Sequence, residues 1–147
     1  MDFILAGKID PIVLKNLKEA ENDHLRIIHK GHITHDEALG LMKGSNVLLL
    51  CLPFNTLSAI FVSGKLLEYI ASGTPIAAVV DSESDAAVLI RDHQAGQIFA
   101  QNEAEELSNF IQKQLAINHT SLSPETISIF ERKETTRQLA QLIEASF

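Results

Sequence analysis

The sequence predicts an α/β fold, specifically a Rossmann-like doubly wound parallel sheet of about five strands with flanking helices and a helical C-terminal tail. Apolar runs of four to six residues alternate with helical patterns of ten or more, which is typical of βαβ units with a sheet buried on both faces. Capping residues precede the helical patterns. The length of 147 residues suits one domain with a real core, and we predict a single domain over residues 1–147.

The apolar runs define the predicted strands. They are Phe3–Ala6, Leu25–Lys30, Val47–Leu52, Ile76–Val80 and the weaker Gln97–Ala100. Right-handed crossovers place successive parallel strands beside one another, which predicts the strand order 2-1-3-4-5. Open parallel sheets bind ligands at the carboxyl ends of their strands. The loops that follow the strands are therefore the places to look for a site.

Helix start signals stand between the strands. Asp10 followed by Pro11 is typical of an N-cap and first helical residue, and the apolar face of that helix, including Val13, should pack on the sheet. Thr34 and Glu37 have the spacing of a capping box, which predicts a helix over residues 36–43. Further helices are predicted over residues 63–72, 84–93, 102–116 and, in the tail, 124–146.

Composition excludes several classes of function. The net charge is -7 and the basic residues are scattered, so no basic stripe exists for nucleic acid. The longest apolar run is far shorter than the roughly 20 residues of a membrane span, and we expect a cytoplasmic protein. The one cysteine, Cys51, lies in the run VLLLCL and is predicted to be buried and inert. The histidines lack carboxylate or cysteine partners at ligand spacing, so no metal site is predicted.

The stretch SGKLLEYIASGTPIAAVV, residues 63–80, carries the strongest functional pattern. Its helix should bury a face that includes Leu67 and present Lys65 and Glu68 on another face. Ser63 caps the start, and Gly64 lets a ligand approach the free amides of residues 64 to 66. A phosphate fits such a helix start because the amides and the helix dipole favour an anion.

A vicinal diol such as a ribose fits Glu68, because a carboxylate offers acceptors in bidentate geometry. Phosphate and diol together indicate a nucleotide. The spacing alone favours a simpler interpretation, a capped helix carrying a solvated Lys/Glu pair. The stretch is not a P-loop, since Leu66 follows Lys65 and Ala59 stands where the first glycine would be.

The same residues resemble the C-terminal, donor-binding domain of retaining GT-B glycosyltransferases. In that family a glutamate, an aromatic residue, two small residues, glycine and proline form a run after a lysine or a neighbouring residue. The matching positions here are Lys65, Glu68, Tyr69, Ala71, Gly73 and Pro75. The resemblance extends from Phe3 to the tail and is most specific over residues 64–80.

The resemblance implies a donor site for a nucleoside diphosphate sugar, without metal or cofactor. Glu68 would bind the ribose, residues Ser63, Gly64 and Lys65 would lie by the diphosphate, and the backbone at Gly31, His32 and Ile33 would frame the base. Lys8, after Gly7 at a strand end, is a further phosphate candidate. The implied activity is sugar transfer of the hexosyltransferase type to an acceptor hydroxyl. In it Lys65 and the amides stabilise the leaving diphosphate, and no catalytic residue is assigned to this chain.

The sequence departs from the family pattern at two places. Ile60 stands where a second glutamate is usual, and both an earlier strand and the acceptor-binding N-terminal domain are missing. We therefore expect a fragment that is inactive alone and whose tail helices can self-associate. The resemblance also allows the parent enzyme to lie at the inner face of a membrane.

Two other functions stay open. One is a non-catalytic binding or interaction module of the response-regulator or flavodoxin type, although the first strand ends in Ala6-Gly7-Lys8 rather than in an acidic cluster. The other is a degenerate glycosyltransferase domain kept for protein contacts, for which Ile60 is the only indication.

Overall fold

The computed structural model describes residues 1–54 and 62–117, together with the single positions 140, 141 and 144. The strands are β1 (Asp2–Leu5), β2 (Arg26–His29), β3 (Leu48–Cys51), β4 (Ile76–Val79) and β5 (Gly96–Phe99). The helices are α1 (Pro11–Glu19), α2 (His35–Gly44), α3 (Gly64–Ser72), α4 (Asp85–Asp92) and α5 (Ala104–Ala116). The predictions for Ile60 and for most of the tail helix lie outside the described residues.

The mixed α/β class with parallel strand pairs is confirmed, but one continuous sheet is not observed. Strands β1 and β2 form a two-stranded parallel sheet, and β3, β4 and β5 form a three-stranded parallel sheet in that order. The predicted pairing of β1 with β3 is not among the hydrogen-bonded neighbours of the described residues. The apolar runs identified the strands, but they do not specify which strands pair. The chain divides into two compact units, Met1–Leu41 and Met42–Phe147, and each is described by itself.

The first unit contains the β1–β2 sheet and α1. Asp10 caps α1 as predicted, its side chain accepting a hydrogen bond from the Ile12 amide at 2.8 Å. Arg26 of β2 forms a two-pronged ion pair with Asp2 of β1, at 2.9 and 2.6 Å. The packing predicted for α1 is largely wrong, because the helix has no buried residue and Val13 is 50% exposed. A two-stranded sheet offers a helix little surface to cover.

The capping box predicted at the start of α2 is confirmed, and its contribution to the stability of the helix should depend on pH. The Glu37 carboxylate accepts hydrogen bonds from the Thr34 amide at 2.7 Å and from the Thr34 hydroxyl at 2.9 Å. These bonds, the amide first, lower the pKa of Glu37 below its ordinary value of 4.5. The box therefore stabilises α2 fully above that ordinary value, and its contribution is lost as the pH falls through the lower folded pKa.

We expect an NMR titration to give Glu37 a pKa below its ordinary value of 4.5. In Thr34→Ala the pKa should rise only part of the way, because the backbone donor remains. A complete return to the ordinary value would contradict the assignment of the amide as the main cause.

The core of the second unit surrounds β4. Ile76, Ala77 and Ala78 are all fully buried, so both faces of this central strand are covered. Leu66 and Ile70 of α3 pack into the same cluster. Further members of the core are Leu50, Val80, Ala86, Ala87, Ile90 and Ala95. Short side chains on β4 let the helices approach the sheet closely, which fixes the position of α3.

The prediction that Cys51 is buried is wrong, because of its place on strand β3. Leu48 and Leu50 are buried, but Cys51 is exposed. Among the described residues β3 pairs with β4 only, so the end of the strand lacks the cover that a central strand would have. Partial desolvation of the sulfur nevertheless raises the pKa of the Cys51 thiol above its ordinary value of 9.0, which favours the protonated thiol at neutral pH.

The last two described helices begin close to their predicted starts. Ser84 caps α4, and its hydroxyl accepts from the Ala87 amide at 3.2 Å. Helix α5 starts two residues after the predicted Asn102, with Glu103 as its N-cap residue. The Glu103 side chain instead accepts from the preceding Ala100 amide at 2.8 Å. No helix in the described part of the chain is long and apolar enough to cross a membrane.

Candidate functional site

The start of α3 gathers four of the predicted site residues. Ser63 has the extended backbone of an N-cap residue (φ -72°, ψ 143°), and its hydroxyl accepts a hydrogen bond from the Leu66 amide at 3.2 Å. Helix α3 crosses over between the parallel strands β3 and β4, so its N-terminus lies on the side of the sheet where strand β3 ends. Local capping and sheet topology together place Ser63, Gly64, Lys65 and Glu68 near the carboxyl end of β3 in the three-stranded sheet.

The amides at this helix start are partly occupied. The Leu66 amide donates hydrogen bonds to both the carbonyl and the hydroxyl of Ser63. The prediction of three free amides is therefore wrong for Leu66. The amides of Gly64 and Lys65 have no hydrogen-bond partner among the described residues. There is also open space at Gly64, where an added Cβ would meet nothing within 4 Å. Among the residues that the structure describes, two donors and the open space at Gly64 are thus left for an anion.

Lys65 and Glu68 face each other across one helical turn. The Lys65 ammonium donates to the Glu68 carboxylate at 3.4 Å, and both side chains are partly exposed, at 53% and 37%. The buried face of α3 is narrower than predicted: Leu66 and Ile70 are fully buried, whereas Leu67 is 40% exposed. The polar pair therefore points away from the core, as predicted.

Tyr69 is a neighbour that the sequence did not single out for chemistry. Its ring is half-buried and packs against the core cluster. Burial, followed by the negative charges of Glu68 and of an ionised Cys51, raises the pKa of the Tyr69 hydroxyl. The hydroxyl is therefore protonated at neutral pH, and it lies within range of the electrostatic effect of Glu68. An aromatic residue directly after the candidate carboxylate was the sequence signal.

The C-terminus of α3 is held by its own polar groups. Gly73 adopts the left-handed conformation (φ 76°) and ends the helix. The Ser72 hydroxyl donates to the Tyr69 carbonyl at 2.7 Å and accepts from the Thr74 amide at 3.2 Å, while the buried Thr74 hydroxyl donates to the Met42 carbonyl at 2.7 Å. These bonds fix the C-terminal end of the helix.

In the first unit, the turns after β1 and β2 contain the other four predicted residues, Gly31, His32, Ile33 and Lys8. The Gly7 amide donates to the Gly31 carbonyl at 2.6 Å, and both glycines have positive φ, 101° and 66°. His29 lies 2.9 Å from the Gly7 carbonyl through its Nε2. The two turns are thus joined to each other at the carboxyl ends of their strands.

The predicted site residues around these turns differ in their exposure. His32 and Lys8 are exposed, and Ile33 and Gly31 are half-buried. His32 Nδ1 lies 3.1 Å from the carbonyl of Ile33, and Lys8 has no ion-pair partner among the described residues. The carbonyl of Gly31 is already used by Gly7. Donors and acceptors available to a base here are therefore the remaining backbone groups of His32 and Ile33.

Other polar clusters are explained by local structure. In the loop after β4, the Asp81 side chain accepts from the Glu83 amide at 2.9 Å, and Ser84 both caps α4 and donates to the Asp81 carbonyl at 2.6 Å. The described residues contain no group of three or more histidine, cysteine, aspartate or glutamate side chains placed to hold a metal ion.

Comparisons with known proteins give no relative for this chain. No family model matches it, and no curated protein or solved structure shows significant similarity to it.

Proposed function

We propose that this chain binds a nucleoside diphosphate sugar and forms the donor-binding part of a glycosyltransferase. The observation that carries the proposal is the start of α3, where a cation, a carboxylate and two amides without a hydrogen-bond partner among the described residues lie within about one turn. The amides and Lys65 supply positive charge for a diphosphate, and Glu68 supplies acceptors for a ribose diol.

The chemical role that we propose for these groups is electrostatic. As a sugar leaves its diphosphate, negative charge grows on the leaving phosphate, and donors fixed before the reaction stabilise that charge. The amides of Gly64 and Lys65 are held by the helix, and the Lys65 side chain extends from the same turn, with its ammonium 3.4 Å from the Glu68 carboxylate. No residue of this chain is assigned as a general base, so acceptor binding and turnover are proposed to need a further domain.

The simplest rival explanation is a solvated ion pair on a helix surface. Exposed Lys/Glu pairs one turn apart are common and contribute only about 0.3–0.5 kcal/mol to helix stability. The chain contains such a pair in Lys15 and Glu19 of α1, 3.9 Å apart. That pair lies along a helix side rather than beside unpaired N-terminal amides, which makes it the natural control for a binding experiment.

Titration with UDP, GDP and ADP, followed by calorimetry or amide NMR shifts, tests the proposal. We expect one nucleotide to bind selectively and to shift the amides of Gly64 and Lys65. Glu68→Ala should weaken that binding by about ten- to a hundredfold, because hydrogen bonds to a charged group contribute about 1.5–3 kcal/mol. Glu19→Ala, which removes the carboxylate of the control pair, should leave the affinity unchanged.

Equal effects of the two substitutions would argue against a site at α3. If no nucleotide binds to the wild-type chain, the donor-binding proposal fails, and a non-catalytic binding or interaction module becomes the better explanation.

Lys65 provides a second test that depends on the sign of the effect. In the ligand-free protein the Lys65 ammonium already bonds to Glu68, so a ligand with only a diol must compete with it. A ligand with a diphosphate gives Lys65 a new partner and releases the carboxylate. Lys65→Met should therefore weaken binding of the nucleoside diphosphate about tenfold and strengthen binding of the matching nucleoside about two- to fivefold.

The control for this test is Lys15→Met, which removes the cation of the α1 pair and should change neither affinity. A Lys65→Met variant that binds the nucleoside no better than wild type would show that Lys65 and the diol do not share Glu68, even where Glu68→Ala confirms the site.

A further inference from the structure

We draw no further inference here: the strongest candidate, the unpaired edge of the apolar strand β3 in the three-stranded sheet, carries none because nothing in the described part of the chain shows which strand or partner covers it.

Discussion

Replacing Gly96 by alanine is expected to destabilise the second unit by about 3 kcal/mol, the upper end of the usual cost of overpacking, because the neighbouring atoms belong to the backbone. Gly96 begins β5 directly opposite Ile76 of the central strand β4. A Cβ at this position would fall on the Ile76 carbonyl oxygen and within 2.6 Å of its carbonyl carbon and nitrogen. These are backbone atoms of a paired strand, so they cannot rotate away as a flexible side chain would.

Urea unfolding followed by tyrosine fluorescence measures this effect in the correct unit, because the chain has one tyrosine and no tryptophan and Tyr69 packs against the core of the second unit. Gly44→Ala is the matched control. Gly44 ends α2 in the same unit and has nothing within 4 Å of an added Cβ. Similar midpoints for the two variants would show that β5 does not approach β4 as closely as described.

Truncating Phe99 to alanine is expected to destabilise the same unit by about 3–5 kcal/mol, which is usual for removal of a fully buried aromatic ring. Phe99 is only 1% exposed, and its ring lies 5.7 Å from that of Phe110 with the planes at 58°. This tilted pair links β5 to α5 and adds to the burial term. Helix α5 has no buried residue, so it has few other contacts of this kind.

The measurement for Phe99 is the same fluorescence-detected unfolding, combined with far-UV circular dichroism. Val88→Ala is the control, since Val88 is 43% exposed on α4 and its truncation should change the free energy of unfolding by less than about 0.5 kcal/mol. A loss below about 1 kcal/mol in Phe99→Ala would mean that Phe99 contributes little to the core.

The elements that sequence predicted best are those whose signals are local. Helix α3 begins after Ser63 and ends at Gly73 because a capping hydroxyl and a left-handed glycine act within a few residues of the chain. The same short range brought Lys65 and Glu68 together, since residues three apart share a helix face. The candidate site at α3 was therefore largely predictable.

Predictions that depended on distant partners were less successful. The spacing of the leucines showed that α3 has an apolar face. Spacing does not show how much of that face the rest of the unit covers, and Leu67 lies outside the covered part. Cys51 was expected to be buried because its run reads like a central strand, yet β3 is an edge strand in its sheet. The occupied Leu66 amide was missed because Ser63 can cap either of two amides. Each error concerns which surfaces meet, which a linear pattern does not encode.

Among the described residues one edge of β3 has no partner strand, which bears on how the protein behaves in solution. A strand of three leucines and a cysteine has no charged or proline residue to discourage pairing with another molecule. The net charge of -7 opposes such association by mutual repulsion between chains. At 0.1 M salt this repulsion is screened beyond a distance of about 10 Å. Salt does not change the hydrogen-bonding groups of the β3 backbone. We therefore expect low-salt buffers to favour dispersed chains.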